Sequence, residues 1–239
     1  MKWTIDNVIK RLIEIEKMGF INIPEGKYRK DDGIVGQILE KQFNLKENNL
    51  RLADLGVFEL KGMRKKKYKS NMLTLFHKTS TNGMTPNQIF KRFGYIKKSL
   101  RSDIMKKKLF TTIRGDKINS LGFILKAHSE TKIELYYYDE YLSTWDLSEA
   151  KQKIDNIILV FAETKGKVNS NDESFHYVEA YLLSGLYDLS KSINAGAVVM
   201  DLCIDQPADE SKAPHDRGPH IRIPITKLNF LYKNIKKLF

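Results

Sequence analysis

The sequence predicts a mixed α/β protein in which helices flank a mixed β-sheet. Apolar residues recur at helical spacing in 4–18 and again in 33–43, as expected for two amphipathic helices. The segment NIILVFAET (156–164) is almost wholly apolar, which is typical of a strand covered on both faces. Such strands, interspersed with helices along the chain, indicate an α/β or α+β class.

The two N-terminal helices are the most regular elements. The first is expected to begin after Thr4, whose side chain is a suitable N-cap. Its apolar face consists of Ile5, Val8, Ile9, Leu12 and Ile13. The second is expected to run from Gly33 to Phe43. Its core-facing residues are Val35, Ile38, Leu39 and Phe43. Glu40 lies at the edge of this apolar stripe.

The remaining elements alternate in type along the chain. Strands are expected at 50–61 (as strand, turn, strand), 130–142, 156–164, 196–204 and 220–225. Helices are expected in part of 89–110, at 174–193 and in the basic, amphipathic C-terminal segment 226–239. The segment 206–219 is rich in Pro, Gly, Asp and Ser and is expected to be a loop.

The charge balance narrows the class of partner. The 239 residues include 41 Lys and Arg against 29 Asp and Glu, a formal net charge of +12. A basic field of this size favours polyanions such as DNA, RNA or an anionic membrane. A single cysteine, Cys203, excludes an internal disulfide and fits a reducing cytoplasm. Because no stretch approaches the length of a transmembrane helix, we expect a cytoplasmic protein with no membrane partner.

The stretch ADLGVFELK (53–61) places three charged residues in an apolar setting. Alternation along a strand puts Glu59 and Lys61 on one face. Gly56 allows a bend that could bring Asp54 towards Glu59. Two carboxylates beside a lysine suit Mg²⁺, which takes oxygen ligands and usually only one or two protein carboxylates.

Other sets of residues compete with this one. The tripeptide E-x-K occurs six times in the chain, so it is weak evidence alone. The spacing of Asp54, Glu59 and Lys61, D-x₄-E-x-K, recurs in a loop at Asp205, Glu210 and Lys212. A set with longer spacing, Asp155, Glu163 and Lys165, lies around the predicted strand 156–164. A charged hairpin with surface ion pairs is the alternative without any site.

Two motifs identify a known family. DDGIVGQILEKQF (31–43) and DLGVFELKGMR (54–64) resemble the MutH-like branch of the PD-(D/E)xK nucleases. Within that branch the chain is similar to the restriction endonucleases BcnI and, more distantly, MvaI. The segments that resemble BcnI include LTLFHK (73–78), KKKLFTTI (106–113), VMDLCIDQ (199–206) and PHDRGPHIRIPITKL (214–228). The resemblance covers essentially the whole chain and implies a PD-(D/E)xK restriction-endonuclease-like fold.

The resemblance implies a catalytic set and a reaction. Asp54, Glu59 and Lys61 match the nuclease motif, and Glu40 matches a helical glutamate that also serves the metal site. Asp54 and Glu59 would hold Mg²⁺. The implied reaction is hydrolysis of double-stranded DNA to 5′-phosphate and 3′-hydroxyl ends.

The resemblance also implies where the DNA sequence is read. In BcnI-like enzymes the histidines that match His77 and His220 read the central base pair of CC(C/G)GG, which is cut after the second C. Arginine can donate twice to guanine, and aspartate can accept from cytosine. The expected DNA-binding residues are His77, His215, Asp216, Arg217, His220 and Arg222. Without the resemblance, a polar loop is the simpler interpretation of 206–219.

The implied organisation is a monomer with two lobes and a DNA cleft. The catalytic lobe is expected at about 25–165, and the recognition lobe at about 166–239 with contributions from 70–110. The basic run 64–69 is expected to hold phosphates. Such a monomer nicks the two strands in sequence, and a companion DNA methyltransferase is expected beside it. The alternatives are a MutH-type repair nicking enzyme and a non-catalytic basic DNA-binding protein.

Overall fold

The computed structural model describes residues 3–45, 53–65, 71–99 and 104–239. The helices are α1 Ile5–Lys17, α2 Ile34–Gln42, α3 Pro86–Phe93, α4 Ser148–Lys153, α5 Leu189–Asn194 and a 3₁₀ helix Ile225–Phe230. The strands are β1 Ile21–Asn22, β2 Glu59–Arg64, β3 Met72–His77, β4 Asn82–Gly83, β5 Tyr95–Lys98, β6 Met105–Ile113, β7 Phe123–Ser129, β8 Lys132–Tyr137, β9 Glu140–Asp146, β10 Asn156–Lys165, β11 Ser174–Leu186, β12 Val199–Pro207, β13 His215–Asp216, β14 His220–Pro224 and β15 Tyr232–Lys237.

The mixed α/β class predicted from the sequence is confirmed, and the chain forms two compact units. The first unit comprises Met1–Asn71, Gln152–Leu186 and Tyr232–Phe239, and the second comprises Met72–Lys151 and Tyr187–Leu231. The units interleave along the chain, and the assignment of a catalytic lobe and a recognition lobe stays a prediction. None of the described helices is long and apolar enough to cross a membrane.

The first unit is a mixed sheet with helices packed against it. Its strand order is β1-β11-β10-β2, and β15 also pairs with β11. Strand β10 runs parallel to β2, with Ile157 opposite Glu59, and antiparallel to β11. The predicted strand 156–164 is therefore confirmed, and its position beside β2 gives the first unit a buried centre.

Both predicted N-terminal helices are confirmed. The Thr4 side chain accepts a hydrogen bond from the Asn7 N–H (3.3 Å), which caps α1. The apolar faces of α1 and α2 pack on the core of the first unit. This core contains Val8, Leu12, Ile15, Ile34, Val35, Ile38, Leu39, Phe43, Leu60, Ile158, Val160, Phe175 and Tyr177.

The helix predicted at 174–193 is wrong. Residues Ser174–Leu186 form strand β11, and only Leu189–Asn194 are helical. A β-bulge shifts the register between the pairs Phe161–Glu179 and Ala162–Tyr177. The extra residue interrupts the two-residue alternation of the buried side chains and produces a spacing that resembles a helix.

The C-terminal helix predicted at 226–239 is also wrong. Ile225–Phe230 form a 3₁₀ helix and Tyr232–Lys237 form an edge strand, antiparallel to β11. Strand β11 supplies the backbone partners that override the amphipathic pattern. The exposed lysines of β15 are the kind of residue that protects an open sheet edge from further pairing.

The second unit contains two sheets. One has the order β3-β14-β12-β6-β5, with β13 paired to β12, and the other has the order β4-β9-β8-β7. The segment predicted as one strand, 130–142, is a hairpin of β8 and β9 that turns at Tyr138 (φ 50°). In the described part of the basic segment 89–110, the helix ends at Phe93, and strands β5 and β6 follow.

Candidate active site

A tight turn precedes β2 and fixes Asp54. Gly56 adopts φ +79°, a backbone conformation that favours glycine, and the Leu55 N–H donates to the Phe58 carbonyl at 2.9 Å. Asp54 Oδ2 accepts a hydrogen bond from the Leu60 N–H at 3.1 Å. The side chain of Asp54 is thereby fastened to the start of β2. The strand expected before it begins at residue 50, and residues 50–52 lie outside the described ranges.

Strand β2 places Glu59 and Lys61 together. Leu60 lies in the core, whereas the Lys61 ammonium lies 2.7 Å from Glu59 Oε1 on the other face. The Glu59 side chain is only 2% exposed, and that of Lys61 is 25% exposed. A charged carboxylate is thus held beneath the surface by an ion pair within its own strand.

A second lysine approaches the same carboxylate. Lys153, the last residue of α4, lies with Nζ 3.4 Å from Glu59 Oε1. The other carboxylate oxygen, Glu59 Oε2, is buried and has no hydrogen-bond partner among the residues that the structure describes. A buried oxygen without a partner is costly unless a ligand or ion satisfies it.

The surroundings of Glu59 change its ionisation. Burial raises the pKa of the Glu59 carboxyl group, and the nearby Asp54 raises it further, whereas Lys61 and Lys153 oppose this change. The direction of the shift shows that the two lysines do not fully offset the loss of solvent. A site of this kind gains from any further cation that binds Glu59.

Glu40 is positioned by a close approach of α2 to β2. A Cβ added to Gly62 would lie 2.9 Å from the Val35 carbonyl oxygen and 3.0 Å from Gly36 Cα. Glu40 Oε1 and the Gly62 nitrogen both lie 3.9 Å from the position that a Cβ on Gly36 would occupy. Glycine at position 62 therefore lets α2, which carries Glu40, approach the strand that bears Glu59 and Lys61.

Neither competing set of residues forms a comparable cluster. Asp155 precedes β10 and Glu163 lies near its end, so eight residues of mostly extended chain, roughly 26 Å, separate them. Asp205 instead pairs with Lys106 (2.8 Å) and Arg217 (2.9 Å), and Glu210 is exposed. The structure does not bring either set together.

The donor set of Asp54 and Glu59 fits Mg²⁺. Within the described ranges, no group of three or more His, Cys, Asp or Glu side chains is arranged to hold a metal ion. Magnesium commonly uses only one or two protein carboxylates and completes its shell with water and phosphate oxygens. The buried, unpartnered Glu59 Oε2 beside Asp54 is consistent with such a two-carboxylate site.

Comparison with known proteins identifies the family. The profile of the MvaI/BcnI restriction endonuclease family matches residues 9–232. The chain belongs to this family. Its members are restriction endonucleases, so the chain is an enzyme that cuts DNA, and the resemblance found in the sequence is confirmed.

Solved structures of a family member share the fold. The complex of restriction endonuclease MvaI with its cognate DNA substrate has a TM-score of 0.76, with 21% identity and all of both chains covered. MvaI in the absence of DNA has a TM-score of 0.50, with 20% identity and the same coverage. The structural similarity to the complex shows a PD-(D/E)xK-like fold. A search of curated proteins found no match.

The two histidines predicted to read the central base pair lie side by side in the second unit. His77 of β3 is the register partner of His220 of β14, and their ring centroids are 4.2 Å apart, edge to face. Burial, followed by the nearby Arg222, lowers the pKa of His220. His220 is therefore neutral at physiological pH and carries one donor and one acceptor nitrogen.

Two arginines of the same sheet are held by aspartates. Arg222 Nη1 lies 2.6 Å from Asp201 Oδ2, and Arg222 Nε is buried without a partner among the described residues. Arg217 Nη1 lies 2.9 Å from Asp205 Oδ2, with its guanidinium over the ring of Phe110. Asp201 and Asp205 thus each have an arginine partner.

The last two predicted DNA-binding residues form strand β13. His215 is exposed and is opposite Asp205 in β12. Asp216 Oδ1 accepts a hydrogen bond from the Gly218 N–H at 2.8 Å, which stabilises the following turn. All six predicted residues thus belong to one sheet and its connecting turn. Their contacts with DNA remain predictions, and Lys66, Lys67 and Lys69 of the basic run lie outside the described ranges.

Proposed function

We propose that this restriction endonuclease hydrolyses phosphodiester bonds of double-stranded DNA in a Mg²⁺-dependent reaction that leaves 5′-phosphates. The observation that supports this most directly is the buried Glu59 carboxylate, which has one unpartnered oxygen and lies beside Asp54 and Lys61. Asp54 and Glu59 would hold the ion, and Glu40 would support the site from α2.

Each side chain has a distinct task in this proposal. A Mg²⁺ ion held by Asp54 and Glu59 would supply Lewis-acid polarisation of the scissile phosphate and a more acidic water. Lys61 orients the attacking water and stabilises the negative charge that develops on the phosphate. The hydrogen bond from the Leu60 N–H keeps the Asp54 carboxylate in place before DNA arrives.

Replacement of the lysine tests this assignment. We expect Lys61→Ala to bind target DNA with affinity close to that of wild type and to cleave it at least 100-fold more slowly, because one positioned donor typically contributes about 10²–10³ in rate. Gel-shift titration in Ca²⁺ and single-turnover cleavage in Mg²⁺ measure the two properties. Near-normal cleavage by this variant would exclude the proposed role.

We further propose that the target is CC/SGG, with S denoting C or G. This proposal is supported by the contact between His77 and His220, which lie opposite each other in strands β3 and β14. Histidine ring nitrogens can act as donors or acceptors, so two adjacent histidines can accept either orientation of a G·C pair. Duplexes that differ only in a central S or W (A or T) pair, and plasmid ends mapped by sequencing, test the proposal. Preference for the W duplex would reject it.

The proposed enzyme acts as a monomer that nicks one strand and then the other, with a companion methyltransferase that protects host DNA. A supercoiled plasmid with a single target distinguishes this proposal from its alternatives. Sequential nicking gives a transient open circle followed by linear DNA. Open circles that never become linear indicate a repair-type nicking enzyme, and binding without any cleavage indicates a non-catalytic DNA-binding protein.

A further inference from the structure

Lys153 is a site feature that lies outside the D-x₄-E-x-K motif. It is the last residue of α4, and four residues later Ile157 is the parallel register partner of Glu59. The segment that leads into β10 therefore reaches the start of β2 by topology. The next residue, Ile154, is buried, and its carbonyl accepts a hydrogen bond from the buried Tyr232 hydroxyl at 2.9 Å. Lys153 extends from an anchored segment.

Both lysines approach the same oxygen of Glu59. Lys61 Nζ and Lys153 Nζ lie 2.7 and 3.4 Å from Oε1, and both side chains remain about one-quarter exposed. Oε2 has no partner within the part of the chain that the structure describes. The two oxygens of the Glu59 carboxylate therefore have different surroundings. Oε1 lies close to two ammonium groups, whereas Oε2 is buried without a hydrogen-bond donor among the described residues.

We propose that Lys153 is a positioning residue of the nuclease site that, with Lys61, holds Glu59 by Oε1 and reserves Oε2 for the divalent cation. The inference rests on the proposed function of Asp54 and Glu59. Lys153 also brings a positive charge close to the carboxylate that would receive the ion. Its ammonium and the divalent cation therefore oppose each other at Glu59 even though they occupy different oxygens.

Opposite effects on metal binding and on cleavage follow from this arrangement. Without the Lys153 charge, the carboxylate attracts a divalent cation more strongly, by about tenfold for one unit charge near the ion under aqueous screening. Without the second ion pair, the carboxylate can turn and offer the wrong oxygen. Cleavage at saturating Mg²⁺ then slows, because small errors in the position of catalytic groups are costly.

The test compares Lys153→Met and Lys153→Arg with Lys151→Met. Lys151 lies two residues earlier on α4 and pairs with Glu130, so its variant removes an ion pair of the same helix away from Glu59. Mn²⁺ binding to each protein without DNA is measured by electron paramagnetic resonance of the free ion. Single-turnover cleavage of the CCSGG duplex at saturating Mg²⁺ and thermal melting are measured on the same preparations.

We expect Lys153→Met to bind Mn²⁺ about tenfold more tightly and to cleave at least tenfold more slowly, with Lys153→Arg and Lys151→Met close to wild type. Mn²⁺ affinity that is unchanged or weaker in Lys153→Met overturns the proposal, whatever the cleavage rate. If the wild type cleaves no DNA but Lys153→Met still binds Mn²⁺ more tightly, the proposed function fails and the link between Lys153 and the cation at Glu59 stands.

Discussion

Two buried glutamates in the first unit have opposite surroundings. Glu173 is 0% exposed, and both its oxygens are used: Arg64 Nε and Nη2 donate at 2.7 and 2.8 Å, and the Asn169 N–H donates at 2.8 Å. Glu59 is 1% exposed, but its ion pairs reach Oε1 alone. Burial acts to raise the pKa of both carboxyls, yet Arg64 and Asn169 hold the pKa of Glu173 below its ordinary value, whereas that of Glu59 is raised.

The difference follows from the geometry of the cationic partners. A guanidinium presents two parallel N–H groups and satisfies both oxygens of a carboxylate, whereas an ammonium acts as a point charge. Glu173 and Arg64 therefore form a closed structural pair that joins β2 to the residues before β11. Glu59 has lysine partners and keeps an oxygen available. Burial alone does not distinguish a structural carboxylate from a functional one, but the number of satisfied oxygens does.

The largest effect should come from Glu59→Gln. The amide keeps the shape of the side chain but is a poor metal ligand. We therefore expect the cleavage rate to fall roughly 1,000-fold, because a positioned metal ion typically lowers the activation free energy by several kcal/mol. Thermal stability should be unchanged or higher, because a buried charge has been removed. Single-turnover cleavage and calorimetry give the two values. A large loss of stability would place Glu59 with Glu173 as a structural residue.

Glu173→Gln should show the reverse pattern. Removal of the Glu173 charge leaves the buried Arg64 guanidinium paired with the largely exposed Asp32 carboxylate, and breaking a buried pair costs up to about 3–5 kcal/mol in the free energy of unfolding. Cleavage per folded molecule at low temperature should remain near that of wild type. Urea unfolding and an active-site-corrected cleavage assay measure this. The double change Arg64→Met, Glu173→Leu is the control, and we expect it to recover part of the stability.

Two glycines provide a smaller test of how closely α2 must approach β2. Gly62→Ala puts a methyl group 2.9 Å from the Val35 oxygen, so we expect a loss of about 1–3 kcal/mol and a displaced Glu40. At Gly36 the nearest atoms lie 3.9 Å away, so Gly36→Ala should change stability by less than about 1 kcal/mol. If Gly62→Ala and Gly36→Ala lose equal free energy of unfolding in urea titrations, α2 does not pack tightly against β2.

The smallest expected effect is on the pH dependence of stability. The lowered pKa of Glu173 means that its ion pair stabilises the fold above the ordinary value of 4.5, and this contribution is lost as the pH falls through the folded-state pKa. For Glu59 the pKa is raised, so ionisation costs stability, and the cost disappears as the pH falls from above the folded-state pKa to 4.5.

Urea unfolding of wild type and both variants between pH 4 and pH 8 measures these contributions. The deficit of Glu173→Gln should shrink towards the acid end, and any gain of Glu59→Gln over wild type should shrink as well. A deficit of Glu173→Gln that stays constant over this range would contradict the ion-pair interpretation.

Local patterns in the sequence predicted how several candidate site residues are arranged, and the roles of these residues stay predictions. Alternation in FELK placed Glu59 and Lys61 on one face, and Gly56 indicated the bend that fixes Asp54. The spacing of apolar residues in α2 placed Glu40 at the edge of the core-facing side of the helix. These signals are short-range, and they depend on residues within one element or its adjacent turn.

The parts that were missed depend on pairings between distant segments. The bulge in β11 is set by its pairing with β10, and its irregular spacing imitated a helix. Because β11 was predicted as a helix, the strand with which β15 pairs was not recognised, and β15 itself was predicted as a helix. Lys153 was overlooked for the same reason, because only the parallel register of β10 with β2 brings it to Glu59.

The late position of β15 in the chain has a consequence for the order of synthesis. Tyr232, its first residue, donates to the Ile154 carbonyl beside Lys153, and the strand completes a sheet whose other members end at Leu186. A ribosome therefore makes Asp54, Glu59 and Lys61 long before it makes the residues that support Lys153. The nascent chain lacks this strand until residues 232–237 have emerged, so the support for Lys153 forms only after every other strand of the same sheet has been synthesised.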